Sequence, residues 1–140
     1  RVALVTGQVI EPATAGSHVR VLVADDHRVL REGLITVLQE QPEIEVVGEA
    51  ADGQQACELA LCMKPDVILM DVSMPQMDGV EATRRITQAL PEVRVIGLSM
   101  HTQADMADAM RAAGAVDYLS KEVASDTLIA AVLSEAIHHG

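Results

Sequence analysis

Charged residues that could handle a metal ion and a phosphoryl group stand at the ends of short hydrophobic runs. The runs end on the following residues: Val19 to Ala24 on Asp25 and Asp26, Val67 to Met70 on Asp71, and Ala115 to Ser120 on Lys121. If the runs are parallel strands, their carboxyl ends lie along one edge of a sheet, where ligands bind. Three facing carboxylates repel unless a cation joins them, and hard oxygen donors suit Mg²⁺, which completes its shell with water and phosphate oxygens. The pattern therefore predicts a phosphoryl-transfer site.

Strands and helices alternate from Val19 onward at the spacing of βαβ units, which predicts a parallel sheet with right-handed crossovers. The predicted strands are Val19 to Ala24, Ile44 to Ala50, Val67 to Asp71, Val93 to Ser99 and Ala115 to Ser120. The predicted helices run from about Arg28 to Gln41, from Gly53 to Met63, from Gly79 to near Leu90, from Gln103 to Ala113 and from about Ser125 to His138. The sequence therefore predicts an α/β fold of five βα repeats, (βα)5.

The fourth predicted helix differs from its neighbours in the size of its apolar side chains. Met106 and Met110 are its only sizeable anchors, and the remaining apolar positions are Ala. Because burial contributes about 25 cal/mol per Å² of apolar surface, an Ala-rich face is weakly held. Mobility of this helix and a merely shallow packing both fit the pattern.

Composition limits the class of protein. At 140 residues, with 49% hydrophobic content, the chain fits one domain with a substantial core. That core must be aliphatic, because Phe and Trp are absent and Tyr118 is the single aromatic residue. A net charge of −11 opposes binding to a phosphate backbone, and stacking platforms for bases need several aromatic rings. Direct nucleic-acid binding by this fragment is therefore not expected.

The two cysteines and the absence of long apolar runs indicate a cytoplasmic, reducing environment. Cys57 and Cys62 lie five residues apart in one predicted helix, with no metal-ligand spacing around them, and we expect buried free thiols. No run approaches the roughly 18 apolar residues of a membrane span, and no signal peptide is visible. We therefore expect no membrane association.

Residues 1–17 do not fit the βα repeat. Arg1 is not an initiator Met, and the stretch from Glu11 to Ser17 has the composition of a linker. The segment is therefore interpreted as a linker, the tail of an upstream domain or a cloning remnant.

A set of motifs resembles the receiver domain of the response regulators of two-component systems. The motifs are Asp25-Asp26, Asp71 within Asp-Val-Ser-Met-Pro-Gln-Met-Asp-Gly, Ser99 at the end of the fourth strand, and Tyr118-Leu-Ser-Lys121. The opening Leu-Val-Ala-Asp-Asp-His-Arg-Val-Leu-Arg-Glu-Gly-Leu is similar to the LuxR/NarL-like subgroup of this bacterial family. The resemblance covers Val19 to His138, which assigns residues 18–140 to the receiver domain. It implies a doubly wound, CheY-like (flavodoxin-like) parallel sheet with strand order 2-1-3-4-5.

The resemblance also implies roles for the residues around the acidic cluster. Asp71 would be the phosphoacceptor for a histidine kinase or a phosphotransfer protein. Asp26 would bind Mg²⁺ directly, Asp25 mainly through water, and Ser73 through its backbone carbonyl, with Mn²⁺ as a substitute metal. Lys121 would pair first with Asp71 and then with the phosphate.

Three further residues have implied roles in the response to phosphorylation. Ser99 would donate its hydroxyl to a phosphate oxygen, and Tyr118 would be the rotamer switch that follows Ser99 inward. His101 would tune dephosphorylation together with Ser73. An output partner is also implied, either a downstream helix-turn-helix domain or the core of a hybrid kinase, and a homodimer fits as well.

Simpler interpretations of the same residues stay open. Asp25 and Asp26 could cap the first helix, Lys121 could be a solvated loop charge, and Tyr118 could simply cover the core. Ser99 could be a plain strand-end hydroxyl and His101 an exposed loop residue. Glu122 follows Lys121, where many receivers have Pro, so no cis peptide is expected there.

Three other functions compete with the receiver interpretation. A haloacid-dehalogenase-type enzyme would need a second Asp two residues after the nucleophile, where this chain has Ser73. A flavodoxin-like cofactor binder would need a phosphate-cradling loop and stacking aromatics. A pseudo-receiver that binds partners without phosphorylation remains an alternative. We therefore expect a signalling phosphoacceptor and not an enzyme with an external substrate.

Overall fold

The computed structural model describes residues 18–99 and 104–138, in which five strands alternate with five helices. The strands are β1 (Val19–Ala24), β2 (Ile44–Ala50), β3 (Val67–Asp71), β4 (Arg94–Ser99) and β5 (Asp117–Ser120). The helices are α1 (Arg28–Gln39), α2 (Gly53–Met63), α3 (Gly79–Ala89), α4 (Ala104–Ala113) and α5 (Ser125–His138). The segment 1–17, predicted to be a linker, lies outside the described residues.

All strand pairs are parallel, and the strand order is β2-β1-β3-β4-β5. This confirms the predicted (βα)5 sheet and its order. The order reverses between β1 and β3, which pair from Val21 opposite Val67 to Ala24 opposite Met70. In an open α/β sheet the ligand crevice lies outside the carboxyl ends of the strands at such a reversal. Asp71 ends β3 there, and Asp25 directly follows β1.

Helices cover both faces of the sheet, which explains why the central strands are mostly hydrophobic and almost entirely buried. Each residue of β3 is buried. One aliphatic cluster packs α2, α3 and α4 against the sheet, and its members include Leu22, Ile68, Met70, Ala56, Ala60, Ala82, Ile86 and Met110. The second packs α1 and α5 against the other face, with Val21, Val23, Leu69, Ile96, Leu38, Leu128 and Val132.

Two of the aspartates in the loops cap the helices that follow them. Asp52 caps α2 by accepting a hydrogen bond from the Gln55 N–H, and Asp78 caps α3 in the same way through Glu81. Helix α1 begins after His27 without a side-chain cap. The capping interpretation of Asp25 and Asp26 is therefore wrong, and both carboxylates are available to the sheet edge.

Several details depart from the sequence predictions. Helix α1 ends at Gln39 and not at Gln41, and β5 begins at Asp117 and not at Ala115. The expectation of two buried thiols is wrong, because Cys57 is half-buried and Cys62 is exposed. Five residues of α-helix turn through about 140°, so both side chains cannot face the sheet.

Helix α4 is anchored at its C-terminal end. The Met110 side chain is fully buried, with its sulfur 3.9 Å from Oγ1 of Thr83, while Met106 is partly buried. Among the described residues no helix is long and apolar enough to cross a membrane.

Candidate functional site

Two buried carboxylates form the floor of the crevice. Asp25 and Asp71 are both almost completely buried, whereas the side chain of Asp26 is 30% exposed. The bend after β1 is held by Arg31, whose Nη1 donates to the carbonyl oxygen of Asp25 at 2.6 Å. The crevice therefore offers two buried acids and one acid that solvent reaches.

Lys121 joins the two buried carboxylates. Its Nζ lies 2.9 Å from Oδ2 of Asp25 and 3.1 Å from Oδ2 of Asp71, and its side chain is buried. The backbone N–H of Lys121 donates to the carbonyl oxygen of Ser99 at 2.6 Å, which fixes the loop after β5 beside the end of β4. A single buried ammonium group thus balances the charge of two buried carboxylates.

His27 is a member of the cluster that the sequence analysis did not identify. Its Nδ1 lies 3.1 Å from Oδ1 of Asp26, 3.3 Å from Oδ1 of Asp25 and 4.0 Å from Oδ2 of Asp71. Its place in the sequence could have predicted this, because a residue that directly follows Asp25-Asp26 lies at the same edge of the sheet.

The donor atoms fit a divalent cation. One donor atom from each of Asp25, Asp26, His27 and Asp71 lies within 4.8 Å of the others. Oδ2 of Asp25 and Oδ2 of Asp71 share the single Nζ of Lys121. A cation in contact with these carboxylates would offset a repulsion that one lysine balances only in part.

The pKa of Asp71 is raised from 3.8 to about 6, and burial is the main cause. The Ser73 N–H, which donates to Oδ1 of Asp71 at 3.1 Å, and the charge of Lys121 both lower this pKa, while the Asp25 charge raises it. Desolvation of the carboxylate therefore exceeds the compensation that the neighbouring groups supply.

The remaining predicted site residues that the structure describes lie in the loop after β3 and on β4 and β5. Ser99 is buried at the end of β4, and Ser73 reaches Asp71 through its backbone N–H. Tyr118 pairs with Gly97, where a Cβ atom would lie 2.8 Å from Cδ1 of the tyrosine ring and 2.8 Å from Cε of Met110. The buried Tyr118 hydroxyl has no hydrogen-bond partner in the described ranges. His101 lies outside those ranges, so its predicted role stays a prediction.

Comparison with known proteins identifies the family. The model of the response regulator receiver domain matches residues 21–133. The chain belongs to the response regulator receiver family. This confirms the resemblance on which the interpretation of Asp71 and its neighbours rests, and it places the chain among signalling proteins.

The relatives of this receiver domain include transcriptional regulators. The chain is 44% identical to the transcriptional regulatory protein DegU of Brevibacillus brevis over 114 residues, which are 81% of this chain and 48% of DegU. It is 44% identical to LiaR of Bacillus subtilis over 119 residues, which are 85% of this chain and 54% of LiaR. The chain thus spans about half the length of these curated relatives.

A solved structure agrees with the subgroup indicated by the sequence. The signal receiver domain of NarL from Mycobacterium tuberculosis superposes with a TM-score of 0.81 at 37% identity, covering 86% of this chain and 97% of that domain. NarL- and LuxR-type receivers are therefore relatives of this chain.

Proposed function

We propose that Asp71 accepts a phosphoryl group from a phosphohistidine of a histidine kinase or phosphotransfer protein. The observation that carries this proposal is the position of the Asp71 carboxylate, buried at a strand end, 3.1 Å from Lys121 Nζ and within an acidic cluster. A carboxylate oxygen of Asp71 attacks phosphorus, the P–N bond breaks, and its electron pair leaves with the imidazole. The product is an acyl phosphate on Asp71.

The residues around Asp71 stabilise charge on the transferring group. Catalysis of phosphoryl transfer is mostly positioning and electrostatic stabilisation. Lys121 supplies a buried positive charge next to Asp71. The Ser73 N–H fixes one Asp71 oxygen, and the other lies beside Lys121 Nζ. Ser99 offers its hydroxyl to a phosphate oxygen.

Asp25, Asp26 and Asp71, with the backbone carbonyl of Ser73, would hold a Mg²⁺ ion, or Mn²⁺ in its place. The ion, when bound, would neutralise charge that develops on the phosphoryl oxygens. The acidic cluster supports this assignment, because these hard oxygen donors lie close together and leave coordination positions for water and phosphate.

Treatment with acetyl phosphate tests the proposal. Intact-mass spectrometry of the wild type should show one phosphoryl addition that requires Mg²⁺ and is lost on chelation. Asp71→Asn should remove it, whereas Asp66→Asn, an exposed acid at the other end of β3, should not. Modification that persists in Asp71→Asn would contradict the assignment, and no modification of the wild type would favour a pseudo-receiver.

We further propose that phosphorylation moves Ser99 toward Asp71 and lets Tyr118 turn inward. The buried Tyr118 hydroxyl, unpaired among the described residues, and the close contact of its ring with Gly97 support this step. A phosphoryl group adds charge and strong acceptor oxygens, which favour the conformation that brings the Ser99 hydroxyl closer.

Beryllofluoride with Mg²⁺, a mimic of the phosphoryl group, tests this switch by NMR. Chemical-shift changes should concentrate in residues 99–121. Ser99→Ala should reduce them, while Ser120→Ala, which alters the residue paired with Ser99 on β5, should not. Changes spread evenly over all helices would contradict the proposal.

This chain spans about half the length of DegU and LiaR, so the output that the switch controls is a separate proposal. By analogy with DegU and LiaR, which are transcriptional regulatory proteins, we propose that the receiver controls a helix-turn-helix domain in the cytoplasm. The core of a hybrid kinase is the second architecture. A homodimer of receivers would fit either one.

A further inference from the structure

The imidazole of His27 is turned into the acidic cluster. Its backbone is fixed, because the His27 N–H donates to Oδ1 of Asp25 at 2.8 Å and its carbonyl accepts from the N–H of Arg31 at 2.8 Å. The side chain is 53% exposed, so it makes its approach from the solvent side, beside Asp26. The position was not among those that the receiver resemblance assigned to the metal.

We propose that His27 Nδ1 acts as a metal ligand beside the carboxylates and raises the affinity of the site for Co²⁺ and Ni²⁺ relative to Mg²⁺. This inference rests on the proposed function, because it assumes that the acidic cluster holds a divalent ion. It adds a nitrogen donor to a site otherwise built from oxygen.

The spacing of the donors supports a shared ion. Ligands at about 2.1 Å on one octahedral ion lie about 3.0 Å apart when adjacent and about 4.2 Å apart when opposite. Nδ1 lies 3.1 Å from Asp26 Oδ1 and 3.3 Å from Asp25 Oδ1, close to the spacing of adjacent ligands. Its distance of 4.0 Å from Asp71 Oδ2 is close to that of opposite ligands. The three distances from Nδ1 thus match those between ligands of one ion, and all four residues offer a donor atom within 4.8 Å of the others.

The chemistry of the donors explains the expected selectivity. Carboxylate, carbonyl and water suit Mg²⁺ and Mn²⁺, whereas imidazole suits the later first-row metals, whose affinities rise toward Ni²⁺. Coordination would use the Nδ1 lone pair, with the ring proton on Nε2. Mg²⁺ loses little without His27, because it is satisfied by oxygen and water.

Isothermal titration of the chain with MgCl₂ and with NiCl₂ tests the selectivity. The ratio of Ni²⁺ to Mg²⁺ affinity should fall about tenfold or more in His27→Gln, a loss comparable to those seen when the surroundings of a metal site are altered. His18→Gln, at the opposite end of β1, should keep the wild-type ratio. Asp26→Asn should lower the affinity for both metals, because it removes an oxygen ligand that Mg²⁺ and Ni²⁺ share. An unchanged ratio in His27→Gln overturns the proposal.

Pulsed EPR of the Mn²⁺ complex tests ligation directly. The wild type should show modulation from a coordinated ¹⁴N nucleus, and His27→Gln should lose it. His101→Gln should retain the modulation, which separates His27 from the histidine two residues after Ser99 in the sequence. Loss in His101→Gln instead, or no ¹⁴N coupling in the wild type, contradicts the proposal. Phosphorylation of the wild type with Mg²⁺ tests the proposed function by itself, so the two failures are distinguishable.

Discussion

Charged residues at the two ends of the sheet have different kinds of partner. At the amino ends of the strands, Asp66 accepts a hydrogen bond from the Arg20 N–H at 2.9 Å, and the Arg20 guanidinium donates to the carbonyl of Lys64 at 2.9 Å. At the carboxyl ends, the buried Asp71 and Asp25 share the ammonium group of Lys121, and Asp26 lies beside them in the acidic cluster. One end pairs its charged groups with the backbone, and the other gathers three carboxylates around one lysine.

This difference separates stability from function. Buried polar groups are usually hydrogen-bonded, and exceptions cluster where a ligand or a reaction supplies the missing interaction. The amino end therefore contributes to the fold whether or not a ligand is present. The carboxyl end becomes fully satisfied when a cation or a phosphoryl group arrives, so its variants should respond to Mg²⁺ and to pH.

The largest effect on stability should come from removing the buried ammonium group. Lys121→Met keeps the apolar stem and leaves Asp25 and Asp71 facing each other without their shared cation. We expect a loss of up to about 3 kcal/mol in the free energy of unfolding at neutral pH without metal, the lower end of the cost of breaking a buried ion pair. Urea denaturation measures it.

Two controls sharpen this prediction. The loss should shrink in an Asp25→Asn background and on addition of Mg²⁺, because each reduces the unbalanced negative charge. A loss that is the same in both conditions would mean that Lys121 acts through packing alone.

A smaller effect, of opposite sign, should follow from Asp71→Asn. The folded-state pKa of Asp71, about 6, lies above its ordinary value of 3.8. The native state therefore holds the proton more tightly, and the stability contributed by this group falls as the pH rises from about 4 to 6. The variant should be more stable than the wild type by on the order of 2 kcal/mol above pH 6 without metal.

The pH dependence of that gain separates a charge effect from a change in packing. The gain should shrink to a small remainder at pH 4 and vanish at lower pH, as Asp71 becomes protonated in both the folded and the unfolded chain. Thermal melts at pH 7 and pH 4 in the presence of a chelator measure it. An equal gain at both pH values would contradict the assigned cause.

Strand ends could be predicted because their signal is local. A hydrophobic run that stops at a charged residue marks both a buried strand and its exit, so Asp71 and Lys121 could be assigned to one edge without coordinates. Because the strands are parallel, the residues that follow β3 and β5 lie at the same edge of the sheet. The start of a strand has no such local signal. Strand β5 starts at Asp117, although the preceding Ala115 and Val116 are as apolar as the strand itself.

Side-chain direction was the part that the sequence could not supply. Lys121 was expected to pair with Asp71, and the structure shows that it also contacts Asp25. No sequence pattern marks His27, and only the structure shows its ring beside Asp25 and Asp26. Cys62 faces solvent because its helix has one buried face.

The smallest effect should come from the amino end of the sheet. Asp66→Ala removes the acceptor of the Arg20 N–H but leaves the Asp66 backbone carbonyl, which accepts from the Arg94 N–H at 3.0 Å. The lost bond should cost about 1 kcal/mol in the free energy of unfolding, the usual net value of one hydrogen bond. Urea denaturation with and without Mg²⁺ should give the same loss, because this end makes no contact with the acidic cluster. A loss that depends on Mg²⁺ would mean that the two ends are coupled through β3, and the separation of stability from function would fail.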